Sequence, residues 1–194
     1  MTTHNPSQQS GPSAPELILR KPTALDGIRV NELVSNSPPL DTNSIYCNLL
    51  QCSHFSNTSI AAELDGELVG FISAYEPPGK SDTLFIWQLV VSSKARGRGL
   101  AKKMVEALLN RPSLSHLRYL ETTIGPDNEA SWGVFRSLAK KWQAPTDERV
   151  MFESQAHFRG KHDDEILFTL GPIERDPIGR DPIERDPIER SLGI

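Results

Sequence analysis

Apolar residues recur every three or four positions in several segments of the chain, which predicts amphipathic helices. These helices cover residues 22–36, 44–52, 99–110 and 128–141. The first is expected to begin at Pro22 and to bury one apolar face, made of Leu25, Ile28, Val30, Leu33 and Val34. Pro38 and Pro39 end it, because a proline ring cannot continue a helix.

Runs of β-forming residues alternate with these helices and predict the strands of a sheet. They cover residues 16–20, 59–64, 67–74, 83–91, 117–124, 149–152 and 166–170. Asp65-Gly66 is a strong hairpin signal, so the second and third strands are expected to pair antiparallel. Residues 83–91 read TLFIWQLVV, which suits the centre of a sheet covered on both faces. The element order predicts an α/β (α+β) domain with a mixed central sheet and helices on both faces.

The two ends of the chain differ in composition from its middle. Residues 1–15 are rich in Ser, Pro, Gln and Thr, and we expect a flexible leader because so few apolar groups cannot offset the ordering entropy. Residues 173–194 repeat PIERD with small changes, and the recurring proline forbids a continuous helix. We therefore expect one folded domain over residues 16–172, followed by a low-complexity tail.

Charge, hydrophobic runs and cysteine spacing argue against nucleic acid, a membrane and a metal as partners. The chain has 194 residues, a formal net charge of −4 and a pI near 5.7, so nucleic acid is not expected. No apolar run reaches the roughly 18 residues of a membrane helix, and the leader lacks the apolar core of a signal peptide. Cys47 and Cys52 are spaced unfavourably for a disulfide, and no His-Cys cluster suggests zinc. We expect a cytoplasmic protein with a small or cationic substrate and no membrane or metal partner.

The most informative segment joins the strand at residues 83–91 to the next helix. A glycine-containing turn opens that helix and consists of Arg96, Gly97, Arg98, Gly99, Leu100 and Ala101. Backbone N–H groups and the dipole at a helix N-terminus favour an anion such as pyrophosphate. The glycines would let phosphate oxygens approach the amides, while the arginines add positive charge, as Lys102 or Lys103 could. A basic helix start with solvent-facing arginines is the alternative interpretation.

This turn and the apolar strand before it resemble the first cofactor motif of the GNAT superfamily of N-acetyltransferases. The dinucleotide fingerprint does not fit, because no third glycine or ribose-binding acid follows at the required distance. The resemblance implies the GNAT fold, with a mostly antiparallel sheet and a splayed cleft, and acetyl-CoA as co-substrate. It implies that the backbones of Leu89, Val90 and Val91 pair with the pantetheine arm. It also implies that Asn128, at the start of a later helix, contacts the cofactor.

One position departs from the superfamily pattern. Many members carry a Tyr seven residues after that Asn, as the acid that protonates the leaving thiolate, and this chain has Phe135 there. Another group must then supply the proton, or the thiolate leaves without one. A catalytically silent acyl-CoA-binding module of the same fold therefore stays open as an alternative.

Several longer strings resemble one family within this superfamily. They read LDTNSIYCNLLQCSHF at residues 40–55, TLFIWQLVV at 83–91, ETTIGPDNEAS at 121–131 and HDDE at 162–165. Together they resemble the diaminobutyrate acetyltransferases of ectoine biosynthesis. The resemblance implies acetyl transfer from acetyl-CoA to the 4-amino group of L-2,4-diaminobutyrate, and a homodimer. A GNAT enzyme for another amine, such as a polyamine or a protein N-terminus, is the rival hypothesis.

A substrate with two ammonium groups and one carboxylate needs acidic partners and at least one donor. Asp41 and Glu121 are the candidate acids, and Glu121 is the candidate general base. Further candidate ligands are Tyr46 and Trp87 as pocket walls, Thr122, Asn43 or Ser44 as neutral groups, and His162 with Glu165 through the family resemblance. Structural roles stay open: Asp41 could cap a helix, and Tyr46 and Trp87 could be core aromatics.

We expect direct transfer within a ternary complex. The acceptor amine loses its proton to water or to Glu121 before it attacks the thioester. A backbone N–H near Leu89 or Val90 stabilises the oxyanion. A covalent route through Cys47 or Cys52 is the weaker hypothesis, because neither forms an evident dyad with a histidine.

Overall fold

The computed structural model describes residues 16–38 and 40–174. The expected leader at residues 1–15 lies outside the described residues, as does the tail from residue 175 onwards. Ile173, at the start of the repeat, is buried in the main core, and its backbone N–H donates to the carbonyl of Arg118 at 2.7 Å. The division into leader, domain and tail stays a prediction. Ile173, which is assigned to the tail by its sequence, packs on the domain.

The sheet has seven strands in the order β1-β2-β3-β4-β5-β7-β6. They are β1 (Leu17–Arg20), β2 (Ile60–Leu64), β3 (Glu67–Tyr75), β4 (Thr83–Val91), β5 (Tyr119–Ile124), β6 (Thr146–Phe152) and β7 (Glu165–Leu170). Neighbouring strands are antiparallel except β4 and β5, which are parallel. β4 is the middle strand, as its apolar sequence predicts. The expected mixed, mostly antiparallel sheet is confirmed.

Helices cover both faces of this sheet. They are α1 (Gly27–Ser35), α2 (Ile45–Ser53), α3 (Leu100–Leu109), α4 (Glu129–Trp142) and a short α5 (Ser154–Phe158). α1 and α2 share a small core cluster with Ala61 of β2, whereas α3 and α4 share the main cluster with Ala62. Because successive strand residues point to opposite faces, the two helix pairs lie on opposite sides of the sheet.

Two apolar residues expected on the buried face of the first helix are exposed. Leu25 is 90% exposed and Ile28 is 57% exposed. The chain forms a 3-10 turn at Ala24–Asp26 before α1 begins at Gly27. In this turn the Asp26 carboxylate accepts a hydrogen bond from the Thr23 N–H at 2.8 Å. Leu25 lies in the 3-10 turn, outside the helical periodicity, whereas Ile28 lies in α1 but on its exposed side. The prediction is wrong for both side chains.

The last third of the chain holds two features that the hydrophobic pattern does not predict. One is α5, between β6 and β7. The other is the length of β6, which begins at Thr146 rather than at residue 149 and has all seven residues exposed. As an exposed edge strand, β6 lacks the alternation that marks a half-buried strand. None of the described helices is long and apolar enough to cross a membrane.

An ionic network fastens α1 to the first strands. Arg20 donates to both carboxylate oxygens of Asp26, at 2.8 and 2.7 Å, and to Glu63 at 3.0 Å. Arg29 of α1 donates to Glu63 at 2.7 Å. The hydrogen bond from Arg20 is the main cause that lowers the pKa of Asp26 from 3.8 to about 2, and it also lowers the pKa of Glu63 to about 2. The network therefore holds the helix that leads into the loop of Asp41.

Candidate active site

β4 and β5 separate partway along their length. Their parallel pairing runs from Thr83 opposite Tyr119 to Ile86 opposite Thr122. β4 continues to Val91, paired on its other side with β3. Residues 87–91 therefore border a cleft instead of a neighbouring strand on the β5 side. The apex of this cleft is the pair of Ile86 and Thr122.

A bulge in β4 lies at the apex. Ser73 of β3 is paired with Gln88 and Ala74 with Ile86, so Trp87 is the extra residue between them. Trp87 is 46% exposed, and its ring meets the ring of Tyr75 edge-on with the centroids 6.5 Å apart. A bulge disrupts the regular ladder locally, which lets nearby backbone groups serve a ligand.

The glycine turn follows the end of β4. Gly97 and Gly99 have φ angles of +74° and +69°, a region that residues with a Cβ rarely adopt. Gly99 is the N-cap of α3, and its carbonyl accepts the N–H of Lys103 at 3.1 Å. The amides that precede Lys103 in this first turn have no intrahelical acceptor, by helix geometry. A Cβ at either glycine would meet no protein atom within 4 Å. Glycine is therefore required by the positive φ angle and not by crowding from neighbouring atoms.

The remaining residues of the turn surround these amides. Arg96 and Arg98 are exposed, and the Arg96 Nε donates to the carbonyl of Val91 at 3.1 Å. Leu100 is buried and packs in the main core, while Ala101 is half-buried. What Leu100 and Ala101 offer an anion is therefore their N–H groups. Positive charge, amides and the α3 dipole together fit a pyrophosphate.

The other residues assigned to the cofactor lie on β4 and at the start of α4. Val90 is buried in the α1 cluster, whereas Leu89 and Val91 pack against the main core. Their side chains are structural, and their backbones border the cleft. Asn128 is the N-cap of α4, and its Oδ1 accepts the N–H of Ser131 at 3.1 Å. A structural role for Asn128 is therefore present, and its contact with the cofactor stays a prediction.

Phe135, which replaces the tyrosine common in the superfamily, is part of the core. Its side chain is 2% exposed, and its ring centroid lies 6.3 Å from that of Phe168. The neighbouring side chains of the main cluster are apolar. This position therefore offers no general acid.

The candidate acid Glu121 lies on the β5–β7 half of the sheet, on the face opposite the main core. Leu120 and Ile124 of β5 and Phe168 of β7 pack in the main core with α3 and α4. Because side chains alternate, Glu121 projects from the opposite face, where the hydroxyl of Thr169 donates to it at 3.3 Å. This face, on the side of α1 and α2, is called the acceptor face below.

Glu121 lies one residue before the apex and is 7% exposed. Its two carboxylate oxygens accept hydrogen bonds from the ammonium group of Lys80 at 2.7 and 2.9 Å. Lys80 comes from the turn between β3 and β4. A buried carboxylate needs such a partner, so the ion pair explains how Glu121 is tolerated beside apolar residues.

A second polar group on the acceptor face surrounds His162. Its Nε2 lies 3.9 Å from the carboxylate of Asp41 and 3.8 Å from that of Glu165. The Gln88 amide donates to the backbone carbonyl of Asp41 at 3.5 Å and accepts from Asn43 at 3.4 Å. The fold thus brings Glu165, at the start of β7, and the Asp41 loop to one histidine, and the Asp41 loop also contacts Gln88 of β4.

His162 is the titratable cation of this group. The hydrogen bond to the backbone carbonyl of Asp163 is the main cause that raises the pKa of His162; burial opposes it, and the carboxylates of Glu165 and Asp41 raise the pKa further. Its imidazolium form therefore persists to higher pH than that of an ordinary histidine. The group combines one cation with two carboxylates, a set that can bind both ends of an amino acid.

The structure corrects several of the sequence-based alternatives. Asp41 does not cap α2, because Ser44 is the N-cap and its Oγ accepts the N–H of Cys47 at 3.1 Å. The side chain of Asp41 is 92% exposed. Tyr46 is 70% exposed, so neither it nor half-exposed Trp87 is a core aromatic residue. All three side chains remain accessible to a ligand.

Thr122 is placed differently from Glu121. Adjacent strand residues point to opposite faces, so Thr122 does not share the acceptor face. It is 5% exposed, and its hydroxyl donates to the carbonyl of Ile86 at 3.0 Å. Thr122 thus closes the apex of the cleft, and this geometry does not favour the predicted contact with the acceptor.

The cysteines are poor nucleophiles in this environment. Burial raises the pKa of Cys52 to about 12 and raises that of Cys47 as well. A protonated thiol does not attack a thioester, so direct transfer is favoured over a covalent route. Across residues 16–38 and 40–174, no cluster of His, Cys, Asp and Glu is arranged to hold a metal ion.

Sequence reasoning missed two polar residues of the acceptor face, Lys80 and Gln88. Gln88 left a signal, because it is the one polar side chain after the threonine in the apolar run TLFIWQLVV. Lys80 left none, since it lies in an ordinary turn 41 positions away from Glu121. Only the sheet brings it to the carboxylate.

The splayed cleft and the glycine turn define an N-acetyltransferase of GNAT type. A family model described as the acetyltransferase (GNAT) family matches residues 29–139, from α1 to α4. The predicted fold and the use of acetyl-CoA are thereby confirmed.

Relatives define the family more narrowly. The chain is 49% identical over 160 residues to the L-2,4-diaminobutyric acid acetyltransferase of Methylotuvimicrobium alcaliphilum, covering 82% of this chain and 93% of the relative. It is also 49% identical over 165 residues to that of Chromohalobacter salexigens, covering 84% and 85%. The diaminobutyrate acetyltransferase of Paenibacillus lautus, solved with L-2,4-diaminobutyric acid and coenzyme A, matches with a TM-score of 0.80 at 39% identity, covering 84% of this chain and 99% of that one. This chain belongs to the L-2,4-diaminobutyric acid acetyltransferase family.

Proposed function

We propose that this protein transfers the acetyl group of acetyl-CoA to the 4-amino group of L-2,4-diaminobutyrate, giving N4-acetyl-L-2,4-diaminobutyrate for ectoine biosynthesis. The observation that carries the proposal is the apex of the cleft, where the donor side meets a face bearing a buried carboxylate, Glu121. Two relatives that are 49% identical are named L-2,4-diaminobutyric acid acetyltransferases, which supports diaminobutyrate as the acceptor of this protein.

On the donor side, the backbone is the proposed ligand. The amides of the turn from Arg96 to Ala101 hold the pyrophosphate at the start of α3. The cleft edge of β4 from Leu89 to Val91 pairs with the pantetheine arm as an added strand would. An N–H near Leu89 or Val90, beside the bulge at Trp87, polarises the thioester carbonyl.

On the acceptor side, the proposed ligands are side chains. Glu121 accepts the 4-ammonium group near the apex, and Asp41 accepts the ammonium group on C2. The imidazolium of His162 meets the substrate carboxylate. Trp87 and Tyr46, both exposed, are the proposed walls of the pocket. Such an arrangement distinguishes the two amines by their distance from the carboxylate.

The proton steps follow from this placement. Glu121, directly or through water, takes the proton of the 4-ammonium group so that the amine can attack the thioester. The coenzyme A thiol has a pKa of about 8.5, like other free thiols, so the thiolate can leave near neutral pH without an acid. That fits the core position of Phe135, which supplies no proton.

The proposal includes a homodimer in the cytoplasm. Exposed apolar side chains on the edge strand β6, namely Val150, Met151 and Phe152, support a protein interface there. Paired copies related by a two-fold axis are the commonest oligomers. Sedimentation velocity of the full chain measures the oligomeric state directly.

The test compares amines as acceptors. The purified protein is given acetyl-CoA with L-2,4-diaminobutyrate, ornithine, putrescine or a peptide, and thiol release gives kcat/KM for each. We expect the highest kcat/KM with diaminobutyrate and an N4-acetyl product by NMR. An equal or higher value with another amine would contradict the acceptor, and no thiol release at saturation would indicate a binding module instead.

A further inference from the structure

The Lys80–Glu121 ion pair joins two unequal partners. The side chain of Glu121 is 9% exposed and comes from a central strand, whereas that of Lys80 is 43% exposed and comes from a surface turn. Glu121 is also held by the Thr169 hydroxyl at 3.3 Å. If the pair opens, the carboxylate stays in place and the ammonium group moves into solvent.

Lys80 contacts Glu121 in the way that is expected of the substrate amine. Its primary ammonium donates to both oxygens of Glu121, at 2.7 and 2.9 Å. The amine of the proposed substrate is also a primary ammonium on an alkyl chain, and the proposed function places it at the same carboxylate. One buried carboxylate cannot serve two ammonium groups in the same position without repulsion between them.

We propose that Lys80 is an intramolecular competitor of the acceptor: it occupies the ammonium position at Glu121 in the free enzyme and is displaced by the substrate amine. This inference rests on the proposed function, because it requires the acceptor amine to reach Glu121. It makes Lys80 a specificity-determining residue that does not take part in the transfer itself.

The exchange explains how a buried carboxylate can face an open site. Glu121 is paired before and after substrate binding, so it never carries an uncompensated buried charge. A ligand without an ammonium group cannot displace Lys80 without leaving that charge unpaired, so neutral and anionic ligands are rejected. In return, the apparent affinity for the diamine is reduced by the fraction of enzyme in which Lys80 holds Glu121.

Binding measurements on variants test the competition. The affinity for L-2,4-diaminobutyrate is measured by calorimetry in the presence of coenzyme A, so that no transfer occurs. Lys80→Met should bind the diamine about fivefold more tightly, the value expected for removal of a partly exposed ion pair. Lys80→Arg should bind it more weakly, since a guanidinium holds a carboxylate with two parallel hydrogen bonds.

A matched control comes from another face of the molecule. Lys141 of α4 pairs with Glu106 of α3 at 2.5 Å, with side-chain exposures of 59% and 27%. Lys141→Met removes a comparable ion pair at the C-terminal ends of these helices. Its affinity for the diamine should equal that of the wild type. An equal gain in Lys141→Met and Lys80→Met would overturn the inference.

A labelling measurement uses the wild-type enzyme and does not depend on the variants folding. Brief reductive methylation, read by peptide mass spectrometry as the ratio of Lys80 to Lys141 labelling, reports whether the Lys80 ammonium is free. The ratio should rise when diaminobutyrate is added to the complex with coenzyme A. Diamine binding with an unchanged ratio, or weaker binding by Lys80→Met, refutes competition. Failure of the wild type to bind the diamine at all refutes the proposed function itself.

Discussion

The proposed donor and acceptor sides of the cleft offer their ligands different kinds of groups. The donor side is one contiguous turn, residues 96–101, that presents backbone amides and has two glycines with positive φ. The acceptor side collects side chains from the Asp41 loop, β4, β5 and the residues just before β7. Recognition through the backbone depends on local conformation, whereas recognition through side chains depends on which strands are neighbours.

The largest effect is expected on the acceptor side, from Glu121→Gln. Loss of a general base typically lowers kcat/KM by about 100-fold or more, and the affinity for acetyl-CoA should not change. Steady-state kinetics with each substrate varied in turn measure both values. Glu106→Gln, which alters the comparable pair with Lys141 on the other face, should retain full activity. A Glu121→Gln variant with wild-type kcat/KM would exclude Glu121 as the base.

The next largest effect is expected on stability, from the ionic network that supports α1 and the Asp41 loop that follows this helix. The pKa of Asp26 is lowered to about 2, so its stabilisation is complete above its ordinary pKa of 3.8 and is lost as the pH falls towards 2. Asp26→Asn should lower the free energy of unfolding at pH 7 by about 2 kcal/mol. Urea unfolding between pH 2 and 7 tests this. The variant should also lose less stability than the wild type below pH 4.

A smaller effect is expected on the donor side, from Gly99→Ala. The φ of +69° costs a residue with a Cβ about 1–2 kcal/mol, so the turn should leave the conformation that aligns its amides, and coenzyme A should bind roughly tenfold more weakly. Calorimetry with coenzyme A measures this. Gly133→Ala in α4, where a Cβ would also meet no atom within 4 Å, is the control and should bind normally. If Gly99→Ala weakened binding of the diamine but not of coenzyme A, the assignment of separate donor and acceptor sides would be wrong.

The smallest effect should appear in the pH dependence of acceptor binding. The pKa of His162 is raised, so its cation is present at lower pH and is lost as the pH rises through that raised value. Affinity for diaminobutyrate should therefore weaken a few-fold across this range, by roughly the value of one exposed ion pair. His162→Asn should bind more weakly at low pH and lose that part of the pH dependence. An unchanged profile in the variant would remove His162 from the pocket.

The donor side was predictable because its signals are contiguous. Gly97 and Gly99 at the start of an amphipathic helix, after the apolar run of β4, indicate an anion site without knowledge of any distant contact. The same run predicted the central strand. Local patterns failed at Leu25, where a 3-10 turn interrupts the periodicity, and at Ile28, which lies on the exposed side of α1.

The acceptor side could be predicted only in part. Asp41, Glu121 and His162 are suggested by residue type and by resemblance, yet their arrangement is not a property of any local segment. The separation of Thr122 from Glu121 follows from the alternation of β5 once its core-facing residues are known. The Lys80 contact could not be read from the chain, because the two residues are 41 positions apart.

The sequence by itself determined the class of protein, the donor and the order of the elements, because backbone conformation and hydrophobic periodicity are local properties. The tertiary structure decided which carboxylates share a face, which of them is already paired with a lysine, and that the Thr122 hydroxyl is bonded to the carbonyl of Ile86 at the apex. These depend on sheet register and on contacts between distant residues. Ion pairs and hydrogen bonds act over a few ångströms in space, whatever the separation along the chain.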